Sequence, residues 1–161
     1  MNPDIIMPEG IYFNANFYEV LSNYWVHKKG QHDPSGLMYI GKLFPTAEHL
    51  YQSMKYMFTG CPEINTEFVE LIRTQTTPFK AKLLGEQKTL SFFPWQAKIG
   101  DLVKEYRERG ICCNDDWMEI RVTSMKIVCD LKFQEDPYFR KTLLGTGTQT
   151  LFHSSDTDSF W

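Results

Sequence analysis

The chain has 161 residues, 42% of them hydrophobic and 23% charged, and 17 basic against 20 acidic side chains leave a formal net charge of −3. That length suits one domain, since domains run most often to roughly 100–150 residues, and a chain of this size buries about 70% of its unfolded surface. The charge excludes a protein that coats duplex nucleic acid but leaves a local basic pocket open.

The first third has loop and strand character. Ile11-Tyr12-Phe13 reads as a short strand, and the polar stretch from His27 to Gly36 carries turn signals at Lys28-Lys29-Gly30 and Asp33-Pro34-Ser35-Gly36. Leu37 to Phe44 reads as one further strand, forming a hairpin with what precedes it. From Thr46, a predicted N-cap, the chain turns helical: a helix runs to about Thr59, where Gly60 and Pro62 stop it. Further helices are predicted over Glu63–Thr74, Phe79–Gln87, Gln96–Arg109, Asp116–Gln134 and Tyr138–Leu144, with Gly110 ending the fourth and Asn114 or Asp115 capping the fifth. The tail from Gly145 is loop, with room for one short strand. Strands do not alternate with helices, so the expected fold is an α-rich α+β single domain over residues 1–161, not a doubly wound parallel sheet.

No stretch approaches the ~20 apolar residues that span a membrane, and no secretory leader is visible. Cys61, Cys112, Cys113 and Cys129 form no C-x-x-C pair, and the four histidines form no H-E-x-x-H, so no metal site is expected. At this cysteine fraction the expectation is reduced thiols in the cytoplasm. Aromatics reach 15%, enough for an ordinary Phe- and Tyr-rich core or for flat faces that stack on bases and sugars.

The helix opened by Thr46 is the first place to look for chemistry. At about 100° per residue, Glu48, Gln52, Lys55 and Thr59 share a narrow stripe while Leu50, Met54, Met57 and Phe58 cover much of the rest. A largely apolar helix is buried, which brings its polar stripe inside or to a cleft wall, where charges need partners or a task. The same four residues also suit a plain solvated face, with Glu48 favoured in the first turn by the helix dipole. Periodicity alone does not choose. The tail is the second place: Asp156 and Asp158 precede Phe160-Trp161, and carboxylates beside an aromatic plane suit cleavage of a glycosidic C–N bond, whose transition state is a sugar cation. A frayed acidic terminus has the same composition.

Pro45-Thr46-Ala47-Glu48-His49-Leu50-Tyr51-Gln52-Ser53-Met54-Lys55-Tyr56 resembles the signature of the YbiA-like NADAR family, P-T-S/A-E-H followed by an aromatic, Gln and Lys. Phe17-Tyr18 and Leu21-Ser22-Asn23-Tyr24 are similar to its S-N-F segment. Trp117, Met125, Lys132 and Phe133 reproduce its W-x7-M-x6-K-F spacing, and Leu143-Leu144-Gly145-Thr146-Gly147, Leu151 and Asp158-Ser159-Phe160-Trp161 its closing motif. These five ordered pieces span about residues 12–161.

The resemblance implies a YbiA-like α+β fold with about six helices and a small antiparallel β element, and hydrolysis of a bond between ribose C1 and nitrogen. Some members act on phosphorylated intermediates of riboflavin biosynthesis and others remove ADP-ribose from guanine. Matched residue by residue, it makes Glu48 and Asp158 catalytic and places Asn23, Gln52, Lys55, Trp117 and Trp161 around the substrate, with no metal and no cofactor. The partner implied is a small nucleotide or ribosyl-phosphate, or an ADP-ribosylated nucleic acid, with no membrane and no stable protein partner. A non-catalytic module that holds ADP-ribose or NAD is the alternative. Two departures stand out. Leu151-Phe152-His153 replaces the L-V-E of many relatives, and the glycine-rich stretch with which the family continues is absent after Trp161, which leaves the phosphate contact to be found elsewhere, first at Lys55.

Overall fold

The protein is described here by a computed structural model, which covers residues 5–7, 10–13, 20–25 and 36–153. Among them, two short strands, β1 (Ile5–Met7) and β2 (Gly10–Phe13), are followed by a hairpin of β3 (Leu37–Tyr39) and β4 (Lys42–Phe44). Six helices follow: α1 (Ala47–Met54), α2 (Pro62–Arg73), α3 (Pro78–Gly85), α4 (Pro94–Glu108), α5 (Trp117–Glu135) and α6 (Pro137–Gly145). The last element is β5 (Thr150–His153). This is the α-rich α+β domain that the sequence predicts.

Local chemistry sets the helix boundaries. Four of the six helices, α2, α3, α4 and α6, start with proline, whose missing N–H costs nothing in the first turn. Thr46 caps α1 by accepting from the His49 N–H, Thr77 caps α3 through Lys80, and Asp136 caps α6 through Tyr138 and Phe139. A cap of this kind contributes ~1 kcal/mol. α5 starts at Trp117 with Asp116 as N-cap, and Asn114 acts one step earlier by accepting the Asp116 N–H at 3.0 Å.

Three expectations need correction. Leu37–Phe44 is not one strand: Ile40 (φ 49°) and Gly41 (φ 72°) turn the chain back on itself, so β3 pairs antiparallel with β4 and Leu37 faces Phe44. The first helix ends at Met54 rather than Thr59, with Phe58 at φ 58° unwinding the segment before Gly60. The small antiparallel β element is present as expected, in the β3–β4 hairpin and in the β1–β2 pair; β2 in addition pairs parallel with β5, bringing Ile11 beside Leu151. The reduced-thiol expectation also fails for one pair, since Cys61 and Cys112 form a disulfide between the start of α2 and the segment after α4.

Helix α1 is the centre of the molecule. It packs against α2, α3, α5 and both strands of the β3–β4 hairpin, and every residue from Ala47 to Met54 is buried. On one side lies a cluster built from Tyr56, Phe68, Ile72, Leu84, Val103 and Tyr106. On the other, Leu37, Phe44, Leu50, Met54, Met125 and Val128 form a second. Leu50 is completely buried, and truncating such a side chain to alanine costs about 2–5 kcal/mol. A third, smaller cluster joins Val20 and Leu21 to Phe139 of α6.

Candidate functional site

The polar stripe of α1 is inside the protein. Glu48 is 6% exposed and Gln52 2%, so the solvated-face reading fails for both. One turn apart, they are joined side chain to side chain, the Gln52 Nε2 donating to Glu48 Oε1 at 2.7 Å. Burial pushes the Glu48 carboxyl above the usual carboxylate range. The Gln52 bond opposes this most strongly, followed by the charges of Lys82 and Lys55, while the charge of Glu86 adds to the upward push.

Gln52 is itself fixed from behind. Gly85 of α3 lies so close that a Cβ there would collide with the Gln52 carbonyl oxygen and Cβ. That oxygen, Oε1, is buried and accepts no hydrogen bond. With its oxygen packed against a glycine, the amide presents its N–H to Glu48. The Tyr56 hydroxyl donates to the Gly85 carbonyl at 2.7 Å and locks the same stretch of α3 to the end of α1.

Lys55 follows the helix as its C-cap, and its Nζ stands 5.7 Å from the centre of the Trp117 ring. Burial lowers its pKa, opposed by the charges of Glu86 and Glu48. Trp117 in turn packs at 5.2 Å against the ring of Tyr51 and borders the second core cluster, so it supports the core and screens the cation at once. The Lys55 carbonyl accepts from the Asn114 N–H at 2.8 Å, tying the approach to α5 onto the end of α1.

Asn23 reaches the site through its backbone. Its carbonyl accepts the Glu48 N–H at 3.0 Å, and its side-chain amide contacts the Met125 sulfur at 3.6 Å. The loop bearing Asn23 is held by Lys132, a fully buried lysine that donates to the Val20 carbonyl at 2.5 Å and to the Ser22 carbonyl at 2.7 Å. Burial pushes that ammonium down to about 8. The spacing of Trp117, Met125 and Lys132 thus has a structural meaning: one stripe of α5 meets Lys55, Asn23 and the Val20–Ser22 carbonyls in succession.

His49, beside Glu48, is structural. Nε2 is 3.0 Å from the Gln75 carbonyl, which can only accept, so the proton resides there. Nδ1 then accepts from the Thr46 hydroxyl at 2.8 Å, and burial lowers its pKa. Thr59 has left the stripe and serves the Asn65 amide at 2.6 Å.

Glu48, Gln52, Lys55, Trp117 and Asn23 are therefore brought together. Asp158 and Trp161 lie outside the described residues, as do Lys28 and Lys29, and the His153 side chain is likewise not described. Two charged residues that the sequence reading missed are Lys82 and Glu86 of α3, electrostatically coupled to both Glu48 and Lys55. The available signal was their spacing with Gly85 at i, i+3 and i+4, one helix face.

A buried carboxylate held by a glutamine amide, with the charges of Lys55 and Lys82 acting on it, thus lies at the centre of the fold. The chain belongs to the NADAR family, whose domain matches residues 12–161. It is 28% identical over 145 residues to N-glycosidase Npun_R5314 of Nostoc punctiforme, covering 90% of this chain and 76% of that protein. To N-glycosidase YbiA of Escherichia coli it is 22% identical, covering 75% and 58% of the two chains. It is 24% identical over 150 residues to the chloroplastic riboflavin biosynthesis protein PYRR of Zea mays, covering 93% of this chain but only 21% of the maize protein. The fold is similar to the solution structure of E. coli YbiA, with a TM-score of 0.58, 22% identity, and 97% and 73% of the two chains covered. Among the described residues no helix is long and apolar enough to cross a membrane, and no group of three or more His, Cys, Asp or Glu residues could hold a metal ion.

Proposed function

We propose that this chain is an N-glycosidase that hydrolyses the C1–N bond of a ribosylated nitrogen, with Glu48 as its working carboxylate. The observation that carries the reading is the buried Glu48 held at 2.7 Å by Gln52. Membership of the NADAR family and two relatives named N-glycosidases support it.

As the C1–N bond breaks, its electron pair leaves with the nitrogen and positive charge grows on the ribose. An ionised Glu48 in a poorly solvated place stabilises that charge more strongly than an exposed carboxylate does. Water then adds to C1, its oxygen forming the new bond and its proton passing to the carboxylate. Because burial raises the carboxyl pKa, Glu48 is a stronger base than a solvated glutamate. The proton finally goes to the departing nitrogen, so atoms and charge balance with one water consumed. Asp158 is proposed as the second carboxylate and Trp161, with Trp117, as an aromatic wall for the base. Lys55 is proposed as a phosphate contact. The substrate is an ADP-ribosyl adduct, such as ADP-ribosylated guanine, or a phosphorylated ribosylamine of riboflavin biosynthesis, and the reaction is placed in the cytoplasm.

Incubating the protein with ADP-ribosylated guanosine, a riboflavin-pathway ribosylamine phosphate and NAD, then separating products by chromatography, tests the reading. Release of free base from either of the first two supports it. Binding of ADP-ribose without release from any of the three makes the chain a binding module instead.

A further inference from the structure

The Cys61–Cys112 disulfide lies one short connection from Lys55 and Trp117. Cys61 is the N-cap residue of α2, and Cys112 belongs to the irregular segment that leads from α4 to α5. Two residues further on, the Asn114 N–H donates to the Lys55 carbonyl at 2.8 Å, and the Asn114 carbonyl accepts the Trp117 N–H at 3.0 Å. Trp117 then carries its ring to 5.7 Å from Lys55 Nζ. Residues 112–117 thus join a disulfide at one end to the Lys55–Trp117 pair at the other.

The side chain that also holds this segment is shared with other groups. The Asn65 side chain accepts the Cys112 N–H at 3.1 Å and donates to the Cys112 carbonyl at 2.7 Å. The same amide nitrogen stands 3.0 Å from the Tyr56 carbonyl and 2.6 Å from the Thr59 hydroxyl, so two protons serve three oxygens. The disulfide adds a tie without that competition. Both of its cysteines are half-buried rather than enclosed, within reach of a reductant. Cys113, next along the chain, is a free thiol whose pKa burial raises, which makes it a poor attacker of the neighbouring disulfide at neutral pH. In a reducing compartment, such as the cytoplasm proposed above, a disulfide is usually a transient, redox-sensing bond.

We propose that Cys61–Cys112 is a redox modification site, opened by a dithiol reductant, that sets how firmly the Lys55–Trp117 wall of the site is held. This rests on the reading above that places Lys55 and Trp117 around the substrate. A thiolate of the reductant attacks one sulfur of the pair, the S–S bond breaks, and the other cysteine leaves and takes up a proton. The reductant's second thiol then displaces the first cysteine, so the reductant ends as a disulfide and the chain gains two electrons and two protons. Exchange with a disulfide oxidant runs the same steps backwards and closes the bond. In the reduced chain Cys112 rests on the shared Asn65 bonds, and residues 112–117 gain freedom to move away from Lys55.

The test compares the intact chain oxidised, reduced with dithiothreitol, and reoxidised with glutathione disulfide, with Cys61→Ser and Cys113→Ser alongside. Alkylation after denaturation should trap two thiols in the oxidised chain and four in the reduced one. Reduction is expected to speed hydrogen exchange at the Asn114 and Trp117 amides roughly tenfold. It should also weaken ADP-ribose binding, or slow base release, by about 2- to 10-fold, the scale of one neutral hydrogen bond, and reoxidation should restore the loss. Cys61→Ser should match the reduced chain under every condition, and Cys113→Ser should respond as wild type does. Four thiols in a chain handled without reductant would overturn the assignment. So would affinity and turnover that are both indifferent to redox state, whatever the amides do. Base released at one rate in every state, with affinity likewise fixed, keeps the glycosidase reading and removes this inference. A redox-dependent ADP-ribose affinity with no base released from any substrate does the reverse.

Discussion

Replacing Gln52 by methionine is the sharpest perturbation of the site short of removing the carboxylate. Methionine keeps the length and volume of glutamine, so the packing against Gly85 survives, and it removes the buried carbonyl oxygen that accepts no hydrogen bond. What it takes away is the 2.7 Å bond to Glu48 Oε1, the largest influence holding the carboxyl down against burial. A hydrogen bond to a charged group contributes about 1.5–3 kcal/mol, all of it to the ionised form of Glu48. Without it the proton is held more tightly, and the ionised fraction falls at any pH near the titration. On the acid limb, where Glu48 is mostly protonated, turnover should drop by roughly 10- to 150-fold, at about 1.4 kcal/mol per decade, and recover as pH rises. The sign is fixed: the acid limb of the pH–rate profile moves to higher pH. Turnover measured from pH 5 to 9, alongside a melting curve, is the assay. A profile superimposable on wild type would refute the amide clamp, as would a uniform loss at every pH.

Glu48→Gln should raise the melting temperature. The folded carboxyl titrates above its ordinary value, so its contribution to stability is present in acid and lost as pH rises through the folded value. At neutral pH the buried charge is a cost; removing it should gain ~0.5–2 kcal/mol, with each kcal/mol worth about 2–4 °C, by calorimetry. Lys55→Met should lower the affinity for ADP-ribose about tenfold relative to an unphosphorylated ribosyl-nucleoside, a preference read by titration. Lys132→Met leaves the Val20 and Ser22 carbonyls without their buried donor, each worth about 1–3 kcal/mol. Faster hydrogen exchange at the Glu48 amide, whose acceptor is the Asn23 carbonyl on that loop, is the expected signature.

What the sequence made legible follows from how local each signal is. Thr46 announced α1 because a cap acts within three residues, and Glu48 with Gln52 shared a face because they are one turn apart. The early end of α1 was not visible, since Lys55 through Phe58 keep helix-compatible composition while tertiary packing turns them aside. The turn at Ile40-Gly41 was hidden because isoleucine is a poor marker for positive φ. Lys82 and Glu86 lie more than thirty residues from Glu48, and only the meeting of Gly85 with Gln52 brings them near. The backbone contact of Asn23 was hidden for a similar reason: its carbonyl accepts the N–H of Glu48, far along the chain, and no local signal marks such a bond. The Cys61–Cys112 disulfide joins cysteines 51 positions apart, a pairing that no spacing rule marks.

The account turns on Glu48 as the group that drives C1–N cleavage. Free-base release from ADP-ribosylated guanosine and from a ribosylamine phosphate, measured for wild type and Glu48→Gln at pH 7, tests it most directly. Wild type should release base from at least one of the two. Glu48→Gln should be slower by about 10²–10³-fold, the usual effect of deleting one electrostatic group, while still binding ADP-ribose. A Glu48→Gln protein that releases base at the wild-type rate would contradict the account.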